Sequence, residues 1–107
     1  MVTIVWEYVV KTECINEFEK IYAPTGNWAM LFQKGKGFVR TTLIRTPEYP
    51  NRFITVDEWE TMQDYKSFRA QWKEEYEKLD QQCQDLTEHE SCLGTFGVGF
   101  NDREYGG

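Results

Sequence analysis

The nine residues "VTIVWEYVV", Val2 to Val10, constrain the fold of this chain more than any other stretch. They are rich in β-branched and aromatic side chains, the composition of a strand. One alternation carries Val2, Ile4, Trp6, Tyr8 and Val10, and the other carries Thr3, Val5, Glu7 and Val9. Both are largely apolar, so the strand must be covered on both faces. A fold that covers only one face has to find a partner for the other.

Later segments supply one cover. Thr12 precedes Glu13 as a helix N-cap with an acid in the first turn, and Ile15, Phe18, Ile21 and Tyr22 form a helical stripe ending before Pro24. In "TGNWAMLFQKG", Trp28, Leu31 and Phe32 have i, i+3, i+4 spacing, and Gly35 stands as a C-cap. "GFVRTTLIR" and Phe53 to Trp59 read as strands joined by the proline-bearing link "TPEYPN", an antiparallel hairpin. Thr61 and Asp64 resemble a capping box at the start of a long amphipathic helix. Its stripe runs through Tyr65, Phe68, Trp72, Tyr76, Leu79, Cys83 and Leu86, which predicts a mostly buried Trp72. "CLGTFGV", Cys92 to Val98, is the last strand, and residues 99–107 form a polar, glycine-rich tail.

The order β-α-β-β-α-β is the split pattern of a ferredoxin-like α+β fold with a four-stranded antiparallel sheet. At 107 residues the chain is long enough for one domain, placed at residues 1–98. Helices cover one face of such a sheet, so the expected partner for the other is a second copy, a homodimer.

Composition narrows function by exclusion. A net charge of −6 with scattered Lys and Arg leaves no basic stripe for nucleic acid and disfavours an anionic membrane surface. Three cysteines, Cys14, Cys83 and Cys92, without CxxC spacing fit neither a disulfide framework nor a structural zinc site. The apolar start has Glu7 inside it and no basic region before it, so it reads as a strand rather than a signal peptide. The expectation is a reduced, cytoplasmic domain. His89 is the one histidine, in a segment of loop-like composition, and no second His exists to make a metal pair. "GKG" and "GTFGVG" match no phosphate-binding turn. Neither metal nor nucleotide nor flavin is expected.

Asp57 and Glu58 are the conspicuous acids. As strand neighbours they point to opposite faces and cannot converge on one bond. Asp57 shares parity with Phe53, Thr55 and Trp59, and Glu58 with Ile54 and Val56. The commoner role for either is an ion pair with a strand arginine, Arg40 or Arg45.

The chain resembles the antibiotic biosynthesis monooxygenase-like superfamily of dimeric α+β barrels. The resemblance lies in "VTIVWEYVV", "EFEKIYAPTGNWAMLF", "GFVRTTLIRTPEYPNRFITVDEWET", "YKSFRAQWKEEYEKLD" and "LTEHESCLGTF", in that order. It implies paired sheets and a pocket between sheet and helices. Functions known in the superfamily include cofactor-free oxidation of polycyclic aromatics, oxidative haem degradation and quinol oxidation. The haem-degrading branch uses a His on the second long helix and an Asn on the first strand, and this sequence has neither there. The leading expectation is a cofactor-independent monooxygenase acting on a small aromatic, phenolic or quinol-like compound. Tyr8, Arg40 and Asp57 are its candidate polar groups, and Trp6, Trp28, Phe32, Trp59, Phe68 and Trp72 its candidate binding surface. The alternative is a homodimer that binds a small ligand or a partner without catalysis.

Overall fold

The computed structural model describes residues 1–97. The expected strand at Cys92 to Val98 therefore falls partly outside, at Val98, and the tail at 99–107 falls wholly outside.

Strand β1 (Val2–Val10) is central, as its two apolar alternations require. It pairs antiparallel with β3 (Arg52–Trp59) on one side and β4 (Thr87–Gly97) on the other, and β2 (Phe38–Arg45) forms the far edge, giving the order β2-β3-β1-β4. This is the ferredoxin-like α+β sheet. Between β1 and β2 lie α1 (Ile15–Tyr22) and α2 (Asn27–Phe32), and between β3 and β4 lie α3 (Met62–Gln71) and α4 (Lys73–Cys83).

The helices bury Phe18, Tyr22, Trp28, Phe32, Phe68 and Cys83 against Val2, Ile4, Tyr8, Val10, Phe53 and Trp59 of one sheet face. Side chains of this size contribute about 1.5–3 kcal/mol each on burial. Much of the core is ring on ring. Phe18 and Tyr22 stack with centroids 3.9 Å apart, and Trp59 meets Phe32, Phe38, Tyr65 and Phe68 within 5.9 Å.

Among the described residues the other face is bare. It presents Val5, Ile54 and Val56 at its centre, with Ile44 and Phe96 exposed. Ion pairs Arg40–Glu58 and Arg52–Glu7 lie on the same face.

Four local expectations are corrected. Thr12 does not cap a helix with its side chain. It opens a single 3-10 turn, and its hydroxyl accepts from Asn51 Nδ2 at 3.1 Å while the same amide donates to Val10 O. Gly35 is not a left-handed cap. It is glycine because a Cβ there would sit 2.9 Å from Phe68 Cδ1, whereas Gly37 has the positive φ, +86°. The long helix is two helices, broken at Trp72 (φ −109°, ψ 30°). The Trp72 ring lies half-buried against the core, its Nε1 buried, with Lys34 Nζ 5.0 Å above it. Finally, β4 begins at Thr87, so His89 lies on it, exposed. Its loop-like composition suits an edge strand, whose pairing with β1 uses backbone alone. The Thr61 cap is present: its hydroxyl accepts from Asp64 N at 3.0 Å.

Candidate active site

The parity of β3 builds the floor of a cavity. Phe53, Thr55, Asp57 and Trp59 all point toward the helices and are all buried. On β1, Trp6 lies opposite Thr55 and Tyr8 opposite Phe53. On β2, Thr41 lies opposite Asp57. Tyr22, Trp28 and Phe32 from α1 and α2 form one wall, and Tyr76 and Asp80 from α4, one turn apart, form another. Glu90 of β4 closes the rim.

These residues enclose about 450 Å³ of empty space, counted out to the open mouth. The interior is narrow, because the centres of water molecules can occupy only about 40 Å³ of it. By the measure that one water needs roughly 10–15 Å³, that is room for a few waters. The space is too narrow for a broad polycycle unless the walls part.

The electrostatics are those of a carboxyl placed among rings. Burial raises Asp57 to about 6, although the hydrogen bond it accepts from the Thr41 hydroxyl pulls the other way. Among the described residues Asp57 has no arginine partner. Glu58, one residue on, accepts from Arg40 Nε at 2.6 Å on the bare face. Burial also holds the Tyr8, Tyr22 and Tyr76 hydroxyls protonated well above the usual phenol range. Thr55 Oγ1 is buried on the floor, beside the Tyr8 hydroxyl, without a well-formed hydrogen bond. Trp28 Nε1 is likewise buried without a well-formed hydrogen bond, beside the Tyr22 hydroxyl and the Cys83 thiol. Arg69 braces the α4 wall. It lies 3.8 Å from the Tyr76 ring centroid and donates to Tyr65 Oη at 2.8 Å.

The structure thus brings together Tyr8, Asp57, Trp6, Trp28 and Phe32. It does not bring Arg40 with them. A bulge between Phe38 and Arg40 lets both Phe38 and Thr41 face inward and turns Arg40 out. Trp59 and Phe68 are core beneath the site, and Trp72 lies at the helix break. Thr41, Thr55, Tyr22, Tyr76, Asp80 and Glu90 escaped the sequence reading. Thr55 shares the parity of Asp57, and Tyr76 the helical stripe, so these two were within reach of it. Among the described residues no three His, Cys, Asp or Glu side chains converge as metal ligands, and no helix is long and apolar enough to cross a membrane. The three cysteines are free thiols.

Residues 1–78 match the family model described as antibiotic biosynthesis monooxygenase. No curated protein matches the chain in sequence. Among solved structures, SnoaB, a cofactor-independent oxygenase from Streptomyces nogalater, superposes with a TM-score of 0.73 at 24% identity, over 96% of this chain and 97% of that one. An antibiotic biosynthesis monooxygenase superposes at 0.65 and 14% identity, over 92% and 98%. A variant of MhuD with two manganese protoporphyrin IX bound per active site does so at 0.68 and 20% identity, over 94% and 97%. At these identities the superpositions establish the fold.

Proposed function

The chain belongs to the antibiotic biosynthesis monooxygenase family, and from that premise we propose that it oxidises a small phenolic or quinol-like compound with molecular oxygen, using Asp57 as the base. One observation carries the reading: a carboxyl held by Thr41, buried in an aromatic cavity and poised at about 6. A general base works best when its pKa lies near the working pH.

The chemistry needs no reductant beyond the substrate. Asp57 accepts the phenolic proton, and the resulting anion gives one electron to oxygen. The radical pair combines at a hydrogen-bearing ring carbon ortho or para to the oxygen to form a hydroperoxide. Loss of water, with the proton returned by Asp57, leaves a quinone: a phenol plus O₂ becomes a quinone plus H₂O. The Thr55 hydroxyl on the floor stabilises the substrate oxyanion, with the Tyr8 hydroxyl beside it. Trp6, Trp28 and Phe32 flank the ring. SnoaB, similar in fold, is an oxygenase that works without a cofactor.

The bare apolar face supports a homodimer, two sheets packed face to face with more than about 1,000 Å² buried in total. Free thiols support a reducing, cytoplasmic setting. The domain is taken to run to residue 98, with 99–107 as a tail.

The narrow interior favours one second reading, a dimer that binds an aromatic ligand without turning it over. Oxygen-electrode and mass-spectrometric assays with a panel of hydroxylated aromatics separate the two. The oxygenase reading requires a product that incorporates oxygen from ¹⁸O₂, vanishes anaerobically and is lost in Asp57→Asn. A panel that binds but never turns over selects the binding dimer.

A further inference from the structure

The cavity has a charge asymmetry that oxidation of a plain phenol does not use. Among its described lining residues are three carboxylates, Asp57, Asp80 and Glu90, and no Lys, Arg or His. None of the three takes part in an ion pair among the described residues. Arg69 faces Asp80 and His89 faces Glu90 from outside, but Arg69 is committed to Tyr65 and to the Tyr76 ring. Asp80 and Glu90 approach from opposite sides, one from α4 and one from β4, and feel each other's charge. Trp6, Tyr8, Trp28 and Tyr76 line the same cavity, aromatic surroundings of the kind that favour a cation. On the floor, Thr55 is 3% exposed, and its hydroxyl has the Tyr8 hydroxyl beside it and lone pairs left over for a ligand oxygen.

Resting on the oxygenase site described above, we propose that the ligand is a single-ring phenol carrying a cationic amino group, its hydroxyl on Thr55 and Asp57 and its ammonium between Asp80 and Glu90. The two ends of the cavity differ in chemistry, so they orient the ring. The phenolic end meets one carboxylate and the Thr55 hydroxyl, and the cationic end meets two carboxylates at the mouth. A ligand with a carboxylate tail meets repulsion from both rim acids. Single-ring size follows from the narrow interior.

The test is binding, read apart from turnover. Tyramine, 4-ethylphenol and 4-hydroxyphenylacetate share a ring and a phenol and differ in tail charge. Each is titrated calorimetrically, and by quenching of Trp6 and Trp28 fluorescence, into the full chain at pH 7.5 and low salt, without oxygen. Tyramine should bind about tenfold tighter than 4-ethylphenol, and 4-hydroxyphenylacetate about tenfold weaker than 4-ethylphenol, a tenfold step being about 1.4 kcal/mol. The double variant Asp80→Asn, Glu90→Gln should bring the three affinities together. Raising the salt should shrink the tyramine preference. Equal affinities in the unmodified protein, a preference that survives the double variant, or no binding of any of the three at millimolar concentration would overturn the proposal. Failure of the oxygenase reading looks different: the charge preference holds, but no bound phenol consumes oxygen.

Discussion

Asp57 and Glu58 are adjacent in the chain and live in different electrostatic worlds. Glu58 is clamped by Arg40 at 2.6 Å on the bare face, while Asp57 is 8% exposed among rings, with the Thr41 hydroxyl as its partner. One peptide unit separates a satisfied surface ion pair from a carboxyl raised to about 6.

The raised value makes stability depend on pH. Folded Asp57 holds its proton up to about 6, and the unfolded group releases it near 3.8. Between these values the folded state binds more protons, so stability falls as pH rises through the window and stays lower above it. Two units correspond to about 3 kcal/mol as an order of magnitude. Asp57→Asn should therefore be more stable than the parent at pH 8 by about 1–3 kcal/mol, with the difference shrinking toward pH 4. Urea titrations at both pH values check this. The same variant should lose turnover, and the parent's rate should rise with pH through about 6.

The apolar bare face predicts self-association. Light scattering should give about twice 12.7 kDa at micromolar concentration. Val56→Arg, which places a charge at the centre of that face, should shift the mass to one chain with little loss of secondary structure by circular dichroism. A single-chain mass for the parent across dilutions removes the dimer.

Two tryptophans separate core from margin. Trp59 is wholly buried, so Trp59→Ala should cost about 3–5 kcal/mol through the cavity it leaves. Trp72, half-buried at the helix break, should cost about 1–2 kcal/mol. Equal midpoint shifts in denaturant would contradict the packing described here.

Gly37 combines a φ of +86° with a neighbour that blocks a side chain: a Cβ would run into the Asp64 carboxylate. Gly37→Ala should lower stability by more than about 1 kcal/mol. Ligand affinity should stay unchanged, since neither Gly37 nor Asp64 lines the cavity. Thermal melts and a phenol titration check the two halves separately.

The fold was readable because it rests on alternation and helical stripe, both local patterns. Val2–Val10 read as a central strand, and the split of Asp57 from Glu58 followed from parity alone. Arg40 was misplaced because a bulge adds one residue to β2, and nothing in "GFVRTT" marks which residue is extra. The helix break at Trp72 was equally silent, since the apolar stripe continues through it. The acids of the cavity rim escaped for another reason. Asp80 and Glu90 come from elements whose approach is set by tertiary packing, and each alone looks like an ordinary surface acid.

The bulge also sets which length changes β2 can absorb. Val39 is the residue with no partner on β3. Dropping it would leave Phe38 and Arg40 as ordinary alternates, each on its present side. Dropping Thr42 would exchange inside for outside along the rest of β2 and carry Leu43 out of the core. The strand therefore tolerates a deletion at one point and is inverted by the same deletion three residues later. Relatives that differ by a residue there can keep an identical interior, whereas a gap farther along must be matched by compensating substitutions throughout the hairpin.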